Sequence, residues 1–307
     1  MRDRKGILVA GSIAQDYVES PGGNLDGELG GSATYSALAA RHFGPVSVVG
    51  AVGRDRSAEL MQLLDFADLS RLTSVDHPTY TWRARRGSLD GEATTLERFT
   101  GAYDGYVPDL GDRRDLPPSA FLGSCDPEVQ LAVARGCPPD IFIAGDTMDV
   151  FIEGQRGAVD EMVRRCHVLF ATTAELELLS QTHGIGDAAT WVFEQHPRLE
   201  AVVVKLGAGG AVLRTAHDYR QLPACPTHVV DPTGAGDALA GAFLGRLGEL
   251  RQRGRADALL EALEWGLVAA SFAISGVGVA ALRATTRSDL ETRLDGYRSG
   301  PGAGARS

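Results

Sequence analysis

Short apolar runs recur along this chain, and most of them lead into a stretch with helical periodicity. Ile7–Ala10, Val46–Gly53, Ala120–Leu122, Asp140–Ala144 and His167–Ala171 read as strands, and Ala201–Arg214 as a buried strand, a glycine turn and a second strand. Ala33–Phe43, Arg56–Phe66, Glu128–Arg135, Gly157–Arg165, Ala174–Ser180, Asp187–His196, Ala235–Leu247, Ala256–Ser275 and Ser288–Tyr297 read as helices, the first of them with Ser32 as its N-cap. Brief β-branched runs closed by glycine and polar residues favour buried strands over pieces of helix. Strands that alternate with helices are joined by crossovers, which places them parallel in one sheet with helices on both faces. The expected fold class is α/β, a three-layer αβα sandwich around a mostly parallel sheet.

Residues 79–100 break this pattern. TYTWRARRGSLDGEATTLERFT alternates on either side of Ser88–Gly91, as a β-hairpin does. Together with the region near Asp16–Asp26 it is expected to build a small β-sheet lid, from segments at about 14–29 and 79–100. One side of such a sheet is expected to be apolar and exposed, which points to a homodimer through the lid. The main domain is expected over 1–298, with the glycine-rich tail 299–307 disordered.

Charge and cysteine usage exclude several classes. The formal net charge is −10, and Arg83–Arg86 is as long as any basic run, so nucleic acid is not an expected partner. An acidic chain can still hold an anion on backbone amides. Ile7–Ala10 and Leu267–Ile274 are too short to span a membrane or to act as a signal peptide core. Cys125, Cys137, Cys166 and Cys225 form no CxxC pair and read as free thiols of a cytoplasmic protein. The dinucleotide fingerprint, the P-loop and the nucleophile elbow GxSxG are all absent.

The segment DPTGAGD, Asp231–Asp237, carries the chemistry. Gly234, Ala235 and Gly236 precede a helix whose first amides have no partner within it. The helix dipole adds positive character, and the glycines let a bulky anion approach the main chain. A phosphate suits such a turn. Asp237 then sits beside that phosphate, an unfavourable place for a binding group and a useful one for a base that takes a proton from an attacking hydroxyl.

Asp231–Asp237 resembles the D-T-x-G-A-G-D signature of the ribokinase-like (PfkB) carbohydrate kinases, with Pro232 at the second position. Gly30–Gly31 before a helix, followed by Gly50–Ala51–Val52–Gly53–Arg54–Asp55, resembles the family's other signature, G-G-x-x-x-N … G-x-x-G-x-D. The likeness runs from Gly11 to about Val279. It implies a ribokinase-like fold and a set of site residues. Asp237 would be the catalytic base, and Gly234, Ala235 and Gly236 the anion hole for the transferring phosphoryl group. Asp16, at the end of the first strand, would bind acceptor hydroxyls beside the Gly30 and Gly31 backbone. Lys205, Gly207, Gly209 and Gly210 would approach the nucleotide phosphates. Asp231 and Thr233 match positions that help hold a monovalent cation such as K⁺, and Mg²⁺ would arrive with ATP.

Two positions depart from the family pattern. Tyr35 stands where the first signature has Asn, which bears on acceptor choice. The N-x-x-E motif near Mg²⁺ and phosphate is here Thr172–Thr173–Ala174–Glu175, with Glu175 in place and Thr172 replacing Asn. The resemblance implies an ATP-dependent kinase acting on a hydroxyl of a sugar or sugar derivative. A nucleoside acceptor, with Tyr35 stacking on the base, is the alternative. A non-catalytic nucleotide- or metabolite-binding protein is the reading from a different class.

Overall fold

The computed structural model describes residues 5–89, 91, 93–250 and 255–300. Positions 90 and 92 of the hairpin turn, and the tail from residue 301, lie outside them. Among the described residues, thirteen strands form two sheets. In chain order the elements are β1 (Ile7–Ala10), β2 (Ala14–Glu19), β3 (Leu25–Gly30), α1 (Ser32–Ala40), β4 (Val46–Gly53), α2 (Ser57–Leu63), β5 (Asp68–Val75), β6 (Tyr80–Arg85) and β7 (Thr94–Phe99). Then follow β8 (Ser119–Leu122), α3 (Pro127–Gly136), β9 (Phe142–Asp146), α4 (Asp149–Gly154), α5 (Arg156–Val163), β10 (Val168–Thr172), α6 (Thr173–Ser180), α7 (Ile185–Gln195) and β11 (Ala201–Lys205). The chain closes with β12 (Ala211–Arg214), β13 (Tyr219–Leu222), α8 (Ala235–Glu249), α9 (Arg255–Ala273), α10 (Ala280–Ala284) and α11 (Arg287–Ser299).

The large sheet runs β13-β12-β11-β10-β9-β8-β1-β4-β5. It is parallel from β5 through β11, and the β11–β12 and β12–β13 pairs are antiparallel. Alternate residues of each central strand feed opposite cores. Ile7, Val9, Phe170 and Val203 meet α1, α8 and α9 on one face, whereas Leu8, Ala10, Leu169 and Val202 meet α3, α5 and α7 on the other. Burying each of the larger of these side chains contributes about 1.5–3 kcal/mol. This is the three-layer sandwich expected from the alternation. No helix among the described residues is long and apolar enough to cross a membrane.

Two contacts seat the helix that follows the glycine turn. Phe243 of α8 packs edge-on to Phe170, whose ring meets Phe121 in the same way, with centroids 5.4 and 6.0 Å apart. On its other side α8 lies against α1. A Cβ at Gly241 would fall 2.3 Å from the Ser36 carbonyl oxygen, so only glycine allows this approach.

The lid is the second sheet, ordered β3-β2-β6-β7. It draws on both expected segments. Its outer face differs from expectation: Arg83 stacks on Tyr17 and pairs with Glu97, and Arg85 pairs with Glu19. That face is ionic rather than apolar. Further corrections concern boundaries. Gly31, not Ser32, is the N-cap of α1, and the Ser32 hydroxyl instead donates to the Ser124 carbonyl. The strand expected at Asp140–Ala144 runs to Asp146. The strands β5 and β13 and the short helices α4 and α10 were not expected.

Candidate active site

The parallel strands end at one edge of the sheet, where loops and helix N-termini surround a cleft of about 620 Å³. The lid forms its other wall.

The turn before α8 lies at the cleft's base. Gly234 is left-handed, with φ +75°, and no side chain caps the helix. The Ala235 amide donates to the Pro232 carbonyl over a long 3.4 Å, and the helix start presents the amides after it toward the cleft. Asp237 occupies the first turn and lines the cleft with Thr233, Gly234, Ala235 and Gly236. Desolvation pushes its carboxyl up to about 7; Asp146 adds to the rise and Lys205 opposes it. Its backbone carbonyl accepts from the Ser36 hydroxyl at 3.1 Å, which fixes the turn to α1.

Asp16 faces this turn from the lid. It does not end the first strand, as the sequence suggested. It lies in β2, after a break at Gly11–Ile13, and points inward from the lid. The carboxylate is 3% exposed, and burial pushes it up to about 7 against the pull of the Gly31 amide, which donates to it at 3.3 Å. A Cβ at Gly30 would fall 2.0 Å from Asp16 Oδ2, so Gly30 supplies room for the carboxylate rather than a wall of the cleft. Strand pairing sets Glu28, Asp16, Trp82 and Arg98 in one row across the lid. Trp82 and Arg98 line the cleft, as do Tyr80 and Phe151.

Tyr35 connects the two ends. Its ring is buried between Gly30 and Gly234. Its hydroxyl is buried with no hydrogen-bond partner among the described residues, and Asp16, Asp231 and Asp237 lie close enough to raise the phenol further beyond what burial does. Thr147 Oγ1, Ser124 Oγ and Thr233 Oγ1 are likewise buried and unpartnered around the cleft. Orphaned polar groups concentrated at one cavity mark it as a place for a polar ligand.

At the sheet edge Lys205 Nζ bonds both oxygens of Asp146, at 2.7 and 2.8 Å, and lies 3.8 Å from Glu175 Oε2. Burial alone would lower this ammonium, but Asp146 and Glu175 raise it, so it stays charged. Gln130 Nε2 donates to the carbonyls of Leu122, Gly123 and Asp146 and ties the ends of β8 and β9 together. Glu175 and Thr172 form the capping box of α6: Thr172 Oγ1 accepts from the Glu175 amide, and Glu175 Oε2 from the Thr172 amide.

Several sequence-selected residues lie away from the cleft wall. Thr172 and Gly30 sit behind it. Gly207, Gly209 and Gly210 form the turn between β11 and β12, outside the lining. Asp231 is buried and staples the glycine turn to the loop after α9: Oδ1 accepts from the Thr233 amide at 3.0 Å, Oδ2 from the Gly278 amide at 3.1 Å. From the sequence, Asp146 could line the acceptor or phosphate region or form a mere polar turn, and Trp82 could pack on a sugar or base or within the lid; both line the cleft, as do Tyr80, Arg98 and Phe151, which the sequence did not single out. Asp146 is the last residue of β9, at the sheet edge where ligands bind, and that place at the end of an apolar run was its signal in the sequence.

Residues 142–286, which include Asp146, Glu175, Lys205 and Asp237, match the family described as pfkB family carbohydrate kinase. The matched stretch is a little under half of the chain. This likeness and the relatives that follow support a carbohydrate kinase. A cytidine kinase of Thermococcus kodakarensis is 25% identical over 248 residues, 78% of this chain and 87% of that protein. A nucleoside kinase of Methanocaldococcus jannaschii has the same fold, with a TM-score of 0.75 at 20% identity over 95% of this chain and 99% of the other. So does an Arabidopsis thaliana ribokinase solved with ribose and ATP, with a TM-score of 0.74 at 22% identity and the same coverage.

Mg²⁺ and K⁺, implied by the family, can be tested against these residues. No cluster of three His, Cys, Asp or Glu side chains among the described residues could hold a metal alone. Mg²⁺ on a nucleotide needs only one or two carboxylates besides phosphate and water, and Asp146 and Glu175 at the cleft edge fit that demand. For a monovalent cation, the orphaned Thr233 Oγ1 beside Asp231 is a suitable oxygen pair.

Proposed function

We propose that this protein transfers the γ-phosphoryl group of ATP to a hydroxyl of a sugar or sugar derivative, with Asp237 as general base. The observation that carries this reading is the placement of Asp237 in the first turn of α8, at a helix start with no side-chain cap, in the same cleft as the lid carboxylate Asp16. Asp16 holds acceptor hydroxyls and orients one of them toward the turn. Asp237 accepts that hydroxyl's proton as oxygen attacks phosphorus. The amides of Gly234–Gly236 and the Lys205 ammonium hold the charge that spreads over the phosphoryl oxygens. The nucleotide runs from the turn along the sheet edge toward Gly207–Gly210, near Glu175 and Thr172. Mg²⁺ held by Asp146 and Glu175 would supply further charge neutralisation when bound. Asp231 and Thr233 are the side chains for K⁺.

A nucleoside acceptor is the second reading, supported by the aromatic wall of Tyr80, Trp82 and Phe151, which can stack on a base; the Tyr35 ring, buried between Gly30 and Gly234, has no free face for the stacking expected of it. The four free cysteines support a cytoplasmic setting. A homodimer through the lid would use its β7 edge, where Leu96 and Phe99 are about half exposed.

The test is ATP consumption against sugars, nucleosides and inositols, wild type beside Asp237→Asn. Turnover with one acceptor class that Asp237→Asn abolishes supports the proposal and names the class. ATP binding without turnover on any acceptor would favour a binding protein.

A further inference from the structure

The segment Gly50–Asp55 contributes no residue to the cleft lining. Its polar groups reach the roots of the lid instead. Asp55 stands in an exposed turn after β4. Its Oδ2 accepts from Gln15 Nε2 at 2.9 Å. Its Oδ1 accepts from the Thr79 hydroxyl at 2.9 Å and from the Thr79 amide at 3.1 Å. Thr79 is fully buried, and its Oγ1 also accepts from the Gly53 amide at 3.1 Å. One position further on, Arg56 Nη1 donates to the Gly27 carbonyl at 2.8 Å.

Each of these partners has a defined place in the lid. Gln15 precedes Asp16 on β2, Thr79 precedes Tyr80 at the start of β6, and Gly27 lies on β3. One turn of the core thus grips three of the four lid strands. The grip falls next to the residues that face the acceptor.

The geometry points to Asp55 as a positioning residue: through Gln15 and Thr79 it sets where Asp16, Tyr80 and Trp82 stand over the cleft. This rests on the reading of Asp16 as the acceptor carboxylate. Asp55 touches no cleft-lining atom, so its loss leaves the anion turn and the Lys205–Asp146 pair in place. It frees β2 and β6 to shift. A lid out of place binds acceptor poorly and admits water to the transferring phosphoryl group.

The experiment uses the full chain with Asp55→Ala and, separately, Gln15→Met, which removes one arm of the grip. Each is assayed with whichever of ribose, fructose, cytidine or inosine the wild type phosphorylates. The readouts are KM for acceptor, KM for ATP, and ADP released per product formed. In Asp55→Ala the acceptor KM is expected to rise about tenfold, with ATP KM within about twofold and more ADP than product. Gln15→Met is expected to shift the same quantities in the same direction by less. Unchanged acceptor KM in both variants would overturn the proposal. So would equal rises in both KM values with a lowered Tm, which mark a merely structural residue. If Asp55→Ala does not fold, Gln15→Met decides alone.

Hydrogen exchange without substrates separates this inference from the acceptor reading. Amides of residues 14–19 and 80–85 are expected to exchange faster in the variants, with β8 to β11 unchanged. Faster exchange in a chain that phosphorylates none of the four acceptors would uphold the grip and count against the acceptor reading. Unchanged exchange would overturn the grip whatever the kinetics.

Discussion

The Tyr35 ring lies against Gly234 so closely that a Cβ on the glycine would stand 2.3–2.4 Å from three ring carbons. This contact joins the helix that begins at the lid to the turn proposed to receive the phosphoryl group. It also makes Gly234 irreplaceable on two counts, since its φ of +75° is strained for any residue with a Cβ. Gly234→Ala is expected to cost about 2–4 kcal/mol and to move the turn, with kinase activity falling at least tenfold. Chemical denaturation and steady-state assays check both.

Tyr35→Phe separates stability from function. The hydroxyl it removes is buried and unpartnered, so the apo protein is expected to gain about 1 kcal/mol, a rise of roughly 2 °C in Tm. If that hydroxyl serves the acceptor, kcat/KM for acceptor falls about tenfold in the same variant. A Tm rise with unchanged kinetics would remove Tyr35 from the list of acceptor contacts.

The pH profile follows from the two raised carboxyls. Asp237 and Asp16 hold their protons to about 7, and a protonated Asp237 cannot act as base. kcat/KM for acceptor is therefore expected to rise with pH through about 7, with a limb steeper than one proton. Asp237→Asn should abolish turnover rather than displace this limb.

Stability carries the same signature in reverse. In the folded chain Asp237 releases its proton near 7, in the unfolded chain near 3.8. Its contribution to stability is fully present below 3.8 and is lost as pH rises through 7. Asp237→Asn should therefore match wild type near pH 4 and exceed it by on the order of 2–4 kcal/mol at pH 8. Paired denaturation curves at the two values check the sign.

Lys205→Met leaves Asp146, 3% exposed in its side chain, without its cation. The expected cost is about 3–5 kcal/mol, and Asp146→Asn in the same chain should recover part of it. Nucleotide affinity should stay reduced in the double variant, because the cation at the phosphate end is still missing. Thermal unfolding and nucleotide titration separate the two effects.

How far the sequence could be read depended on how local each interaction is. The central strands were legible because both of their faces are buried and their apolar runs are continuous. The edge strand β5, Asp68–Val75, was not, since none of its residues is buried and Asp68, Ser70 and Arg71 look like loop. Asp16 was placed on the wrong strand because the Gly11–Ile13 break, which hands the chain from core to lid, is three residues long. The glycine turn and Asp237 were legible because a helix start announces itself locally. Asp146 was legible only as a polar residue at the end of an apolar run; its pairing with Lys205 was not, because the two lie 59 residues apart and no local pattern encodes it.

The close approach of α1 to α8 at Gly241 has a consequence for how such a chain can diversify. The lid strand β3 runs directly into α1, and α1 is pressed onto α8, so acceptor wall and anion turn keep a fixed gauge. Substitutions on the inner row of the lid can then exchange one acceptor for another without recalibrating the chemistry beneath. A methyl group at position 241 would alter that gauge for every acceptor at once.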